Sequence, residues 1–233
     1  MRVVYGPIRS LGLGKVIAVD PICRHPKVCN FNCIYCHLGH GGLVLMDPAD
    51  YIDAGSLMRQ VGECLHREEC ETVIFKGTGE PLLARNIFRL ARELRQVSEK
   101  KLALMTNCSM LGQTNEEDLD AFDIIIAKLD AASEETFRVV NRPHPSIRLH
   151  DVLERMMQAR ERFQGSFRVQ VTLVKENLGE IDGISKVIRD ICPDYVYLDN
   201  PEGCDPFHQV AKRDMQAAME RFSGIRCLCS EKK

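Results

Sequence analysis

Six short apolar runs, each set off from the next by stretches of helical period, constrain the fold of this chain more than any other feature. The runs are KVIAVD (15–20), TVIFK (72–76), KLALMT (101–106), DIIIAKL (123–129), FRVQVTLV (167–174) and YVYLD (195–199). In most of them apolar residues follow one another, the pattern of strands covered on both faces in a parallel sheet. Between them, Leu57, Val61, Cys64 and Leu65 recur on one helical face, as do Ile87, Leu90, Leu94 and Val97. Val152, Met156 and Phe163 make a further stripe, and Ile181, Ile184, Ile188 and Ile191 the cleanest one. Met215, Met219 and Phe222 mark a last helix. Such alternation implies right-handed βαβ units and an α/β fold. An open doubly wound sheet and a partial barrel satisfy the pattern equally.

In both architectures chemistry collects at the C-terminal ends of the strands. That places DPICRHPKVC, GTGEP, TNCS, DAAS, KEN and NPEG on one rim. The chain has 233 residues, 45% hydrophobic and 27% charged, enough for one well-buried domain. Residues 1–203 read as the core, with an N-terminal strand extension, and 204–233 as a helix and a cysteine-containing tail packed on it. No apolar run reaches the roughly 18 residues of a membrane span, and MRVVYGPIRS lacks a secretory signal's apolar stretch. A cytoplasmic protein is expected. Its 11 cysteines are odd in number and, in that compartment, reduced, which favours a metal or iron–sulfur site over disulfides. The net charge of −2 gives no global basic field for nucleic acid.

Cys29, Cys33 and Cys36 fall in the spacing C-x3-C-x2-C. Structural zinc usually takes four ligands, often as two separated Cys-x2-Cys pairs. Three thiolates instead leave one iron of a [4Fe–4S] cluster without a protein ligand. An open iron is useful when something else binds there.

Tyr35 precedes the third cysteine, GTGEP (77–81) follows the next strand, and MTNCS (105–109) ends the strand after it. On these motifs the chain resembles the radical SAM superfamily. YGPIRSLGLGKVIAVDPI, CNFNCIYCHLG, GTGEPLL and KLDAASEETFRVVNRPH together resemble its small members related to wyosine tRNA synthases. The resemblance implies a partial (β/α)6 TIM-like barrel and a [4Fe–4S] cluster on Cys29, Cys33 and Cys36. It also implies S-adenosyl-L-methionine bound to the open iron through its amino and carboxylate groups. Gly77, Thr78, Gly79 and Glu80 would then hold the methionine end, Thr106 and Asn107 would lie near the ribose, and Lys128 would neutralise the carboxylate. Tyr35 and Asp130 complete the expected set, and Asp130 with Arg142 is also read as ordering its own loop. One electron from the cluster would cleave the cofactor to a 5′-deoxyadenosyl radical that abstracts hydrogen from an unidentified substrate. A small molecule, a peptide or a protein is the expected substrate, with a one-electron donor such as a flavodoxin or ferredoxin.

Two departures limit the resemblance. Wyosine synthases use a lysine that forms a Schiff base with pyruvate, and Lys175 or Lys76 could supply one. They also carry further cysteines upstream for a second cluster, whereas here only Cys23 lies upstream. A tRNA substrate stays open but is not favoured by the charge. A non-catalytic iron–sulfur sensing module is the reading of another class, and the full set of cofactor motifs argues against it.

His37 and His40 read as hydrogen-bonding loop residues, and Cys64, Cys70, Cys108 and Cys192 as small buried hydrophobes. Ser133 followed by Glu134 and Glu135 reads as a helix N-cap with an acidic first turn. In the tail, Cys204, Cys227 and Cys229 suggest an auxiliary iron–sulfur cluster, or a C-x-C redox pair. The expected helix from about Pro206 to Phe222 would end near the bottom rim, so SGIRCLC would have to climb back across the barrel.

Overall fold

The structure, a computed structural model, describes residues 2–9, 12–40, 42–113, 119–201 and 206–229. Its strands are β1 Val4–Arg9, β2 Lys15–Val19, β3 Val28–Cys29, β4 Leu43–Val44 and β5 Thr72–Phe75. They continue with β6 Lys101–Thr106, β7 Ile124–Lys128, β8 Ser166–Thr172, β9 Tyr195–Asp199 and β10 Cys227–Cys229. The six apolar runs thus become β2 and β5 to β9, within two residues of their expected ends.

One eight-stranded sheet has the order β1-β2-β5-β6-β7-β8-β9-β10. Only β1 is antiparallel to its neighbour; every other pair is parallel. The sheet does not close, and β1 and β10 are its edges. A partial barrel results, which resolves the choice that periodicity left open. β3 and β4 form a separate parallel ribbon that carries Cys29.

The helices are α1 Ala54–Arg67, α2 Ile87–Val97, α3 Glu134–Val140, α4 Leu149–Arg162, α5 Ile181–Ile191 and α6 Lys212–Arg221. Ile17, Val73, Leu104, Ile125, Val169 and Leu198 point from the sheet into the core shared with these helices. The opposite strand face buries Val16, Ala18, Ile74, Ala103 and Ile126 in a smaller inner cluster. Burial on both faces is why the strands read as continuous apolar runs. Further up the inner face, β7, β8 and β9 become polar, with Lys128, Gln170, Thr172 and Asp199 lining a cavity.

The helical stripes bury Leu57 and Val61, Ile87, Leu90 and Leu94, Val152 and Met156, and Ile184, Ile188 and Ile191. Val97 breaks its stripe and is 70% exposed, because α2 ends there and Ser98 is already extended. Ser133 caps α3 as expected, accepting from Thr136 N at 3.2 Å. Cys70 and Cys108 are buried and Cys64 partly so, but Cys192 is exposed. It follows the last residue of α5 in the left-handed region at φ 53°, past the end of the buried stripe and not in the buried position expected for it.

The tail differs from expectation in one respect. The last helix is shorter: Pro206–His208 is a 3₁₀ turn and α6 begins only at Lys212. After the buried Phe222 the chain does climb back, as β10, pairing Cys227 with Val196 and Cys229 with Leu198. Hydrogen bonding to β9 makes that climb, in place of a free excursion across the mouth. Cys227 and Cys229 pack against the helix-side core, while Leu228 lies on the other face near Gly12 and Tyr197. Cys204 lies outside the described residues. Among those described, no helix is long and apolar enough to cross a membrane.

Ile188 is fully buried, whereas Ile181, on the same stripe, is only partly so. Ile188→Ala is expected to cost about 2–5 kcal/mol of unfolding free energy, and Ile181→Ala less than half as much. Urea denaturation of both variants measures the difference.

Candidate active site

The loop after β2 is organised by Asp20, which is 2% exposed. Its Oδ1 accepts from the backbone N–H groups of Ile22 (3.0 Å) and Cys23 (2.9 Å), and its Oδ2 from that of Thr78 (2.9 Å). The same carboxylate fills the place a side chain at residue 77 would need: a Cβ on Gly77 would stand 2.0 Å from Asp20 Cγ. A Cβ on Gly79 would stand 1.6 Å from the Val28 carbonyl oxygen. Both glycines are therefore dictated by close approach. Val28 N donates to Thr78 O at 3.0 Å, and Glu80 N to Val28 O at 3.1 Å. GTGEP is thus stitched to the strand that delivers Cys29. Thr78 serves this stitching, its hydroxyl accepting from Arg24 N at 2.9 Å.

Glu80 is 2% exposed and lines the cavity. Oε1 accepts from Thr106 Oγ1 at 2.7 Å and Leu82 N at 3.1 Å, and Oε2 from Asn107 N at 2.8 Å. Burial pushes its carboxyl up to about 7, outweighing these three donors, which act in the opposite direction. An ammonium group placed against it would favour the ionised form. MTNCS therefore meets GTGEP through Glu80, as two of the sequence motifs require.

Two amides reach cysteine sulfurs. Asn107 Nδ2 donates to Asn30 Oδ1 at 2.7 Å and lies 3.9 Å from Cys29 Sγ. Asn30 Nδ2 in turn donates to Ser109 Oγ at 2.7 Å, and Ser109 Oγ to Asn107 Oδ1 at 2.6 Å. On the other side, Asn141 Nδ2 lies 3.6 Å from Cys33 Sγ and donates to Asp130 Oδ2 at 2.8 Å. N–H donors beside thiolate sulfur stabilise its negative charge.

Asp130 is 2% exposed. It accepts from the Tyr35 hydroxyl, from Asn141, and from Thr172 N at 2.7 Å. Lys128 Nζ stands 3.9 Å from Asp130 Oδ1, donates to Thr172 Oγ1 at 2.6 Å, and lies 5.0 Å from the Tyr35 ring centroid. Tyr35 and Lys128 line the cavity, while Asp130 and Thr78 do not. Burial, then the charge of Asp130, holds the Tyr35 phenol well above its ordinary range.

The cavity has a volume of about 680 Å³, in the range of small-molecule sites. Cys29, Cys33 and Cys36 line it together, with Gly77, Gly79 and Glu80. Thr106, Asn107, His37 and Lys76 also face it, whereas Lys175 does not and stacks 5.0 Å over Phe207. Burial, with the charges of Lys76 and Lys27, lowers His37. Burial and nearby carboxylates push the Cys33 thiol up to about 11 and Cys29 higher still. Metal charge is what turns such buried thiols into thiolates. Among the described residues no three His, Cys, Asp or Glu side chains converge as ligands of a single ion. Three soft donors on one wall, two with N–H groups at sulfur, fit an iron–sulfur cluster, and the glycine cradle beside them fits a cofactor. Asp20, Asn30, Ser109 and Asn141 were not singled out from the sequence. The aspartate that ends the apolar run KVIAVD was the one available signal.

A family model described as Radical SAM superfamily matches residues 24–188. The chain is 30% identical over 200 residues to a protein named GTPase Obg from Brachyspira hyodysenteriae, covering 84% of this chain and 29% of that one. It is 28% identical over 173 residues to a UPF0026 protein of Synechocystis sp., covering 74% of this chain and 64% of the relative. The chain thus spans less than two thirds of the length of these relatives. Among solved structures, a radical SAM methyltransferase from Sphaerobacter thermophilus superimposes with a TM-score of 0.71 at 13% identity, covering 94% and 67% of the two chains. A structure of TYW1 with a lysine–pyruvate adduct bound gives 0.65 at 11% identity, covering 91% and 74%. At these identities the likeness shows the fold, and it is the partial barrel seen here.

The raised carboxyl of Glu80 has a thermodynamic signature. A proton held to about pH 7 in the native chain leaves near 4.5 in the unfolded one. Between those values the unfolded state binds fewer protons, so stability falls as pH rises, by on the order of 3 kcal/mol. Below about 4.5 this contribution is fully present. Denaturation of the cofactor-free chain at pH 5 and pH 7.5 is expected to show most of that loss, and Glu80→Gln to remove it.

Proposed function

We propose that this chain, which belongs to the radical SAM superfamily, is a radical SAM enzyme whose Cys29, Cys33 and Cys36 hold a [4Fe–4S] cluster, beside an S-adenosylmethionine site formed by Gly77, Gly79, Glu80, Thr106, Asn107 and Lys128. The observation behind this reading is that the three thiols line one cavity with Gly77, Gly79 and Glu80. When bound, the two groups supply reductive cleavage of a sulfonium bond and hydrogen-atom abstraction by the 5′-deoxyadenosyl radical.

The chain's own residues bind, orient and exclude water. Glu80 would receive the cofactor's ammonium, which offsets the burial that raises this carboxyl. Lys128, fixed by Thr172 and Asp130, faces the carboxylate. Asn107 and Asn141 steady the sulfurs of Cys29 and Cys33. Asp130 and Thr78 act as positioning residues through their hydrogen bonds to neighbouring loops and strands. The inner cluster of Val16, Ala18, Ile74, Ala103 and Ile126 closes the floor to water.

We take the substrate to be a small molecule or a protein partner, with reducing equivalents from a flavodoxin- or ferredoxin-like donor in the cytoplasm. The net charge of −2 weighs against tRNA, and the likeness to TYW1 in fold does not carry its substrate here.

Anaerobically reconstituted, dithionite-reduced protein is expected to convert S-adenosylmethionine to 5′-deoxyadenosine and methionine. Replacing Cys29, Cys33 or Cys36 by Ala should reduce that product to background by liquid chromatography. Undiminished cleavage in the triple variant would refute the assignment.

A further inference from the structure

Three polar side chains on the inner wall have no part in the cofactor site described above. Lys76 follows β5, Gln170 lies on β8 and Asp199 ends β9, and all three line the cavity. Gln170 is only 6% exposed. Its Nε2 donates to Asp199 Oδ2 at 3.0 Å, which fixes the amide's orientation, and its Oε1 is buried with no hydrogen-bond partner. Lys76 is largely withdrawn from water, and no carboxylate of the described residues lies within ion-pair distance of it. Burial, helped by the repulsion of Lys128, lowers the Lys76 ammonium, and Asp199 is close enough to act in the opposite direction. A cation thus stands near a pair of acceptors, in a region where each unmatched group is costly.

We propose that Lys76, Gln170 and Asp199 form the substrate subsite of this cavity, and that it takes a small α-amino-acid-type molecule. The acidic group of that molecule pairs with the Lys76 ammonium. Its amino N–H groups reach Gln170 Oε1 and the Asp199 carboxylate. A simple anion would leave the Gln170 acceptor unmatched and face the charge of Asp199. A simple amine would leave Lys76 without a counter-charge. Only a molecule carrying both groups satisfies the wall, and about 680 Å³ of cavity suits a small one. This inference rests on the function proposed above, because it needs the cofactor's own amino and carboxylate groups to be met by Glu80 and Lys128.

The test is calorimetric titration of the anaerobically reconstituted protein with each L-α-amino acid, in the presence of saturating S-adenosylmethionine. At least one is expected to bind, and its decarboxylated amine and its deaminated acid each to bind at least tenfold more weakly. Lys76→Met should bind the amino acid and its amine alike, while Lys76→Arg keeps the preference. The wild-type probe series decides the matter even where Lys76→Met fails to fold. Binding of no amino acid by protein that still forms 5′-deoxyadenosine overturns the subsite and leaves the function standing. Competition between the amino acid and S-adenosylmethionine overturns it too, since these residues would then belong to the cofactor. A wild-type protein that cannot cleave S-adenosylmethionine refutes the proposed function, and with it the subsite that rests on it.

Discussion

The buried carboxylate of Asp130 joins segments that the chain brings together from far apart. It takes the Tyr35 hydroxyl from the cysteine loop, the Asn141 amide from the end of α3 and the Thr172 amide N–H from β8. Through Asn141 it reaches the Cys33 sulfur, and through Lys128 the cavity. Tyr35 and Asp130 are 95 residues apart in sequence, so their bond closes a long loop onto a strand end. An uncompensated charge at this depth would cost several kcal/mol. Three hydrogen bonds and a nearby ammonium make it tolerable, and in doing so they set where the cysteine loop can lie.

Asp20 performs the matching task on the other side. Where Asp130 holds the second and third cysteines' segment through Tyr35, Asp20 holds the approach to the first. It also docks Thr78, and with it the glycine cradle. The site is therefore built between two anionic anchors, each at or just past the C-terminal end of a parallel strand. Partial barrels concentrate chemistry at that end because the loops there converge while the strands below stay rigid.

Most of the barrel was legible in the sequence, because strands buried on both faces must be apolar throughout, as in DIIIAKL and KVIAVD. The cysteine spacing and GTGEP were legible for a different reason: closely spaced thiols and close-approach glycines admit few substitutes. What escaped notice depends on partners remote in sequence. Nothing local to Asn30, Ser109 or Asn141 says that an amide or hydroxyl will meet a cysteine loop or a distant strand end. β10 escaped likewise. Three residues, two of them cysteines, hold too little pattern to mark a strand, and only the exposed edge of β9 makes them one. Val97 and Cys192 show the converse limit, since periodicity places a residue on a face without saying where the helix stops.

The central claim is that Cys29, Cys33 and Cys36 hold a cluster whose remaining iron is open to S-adenosylmethionine. Electron paramagnetic resonance of the reduced protein, with and without that cofactor, tests it most directly. The account predicts a reduced [4Fe–4S] signal that shifts on adding S-adenosylmethionine. A signal indifferent to the cofactor, or one that survives replacement of all three cysteines, would contradict it.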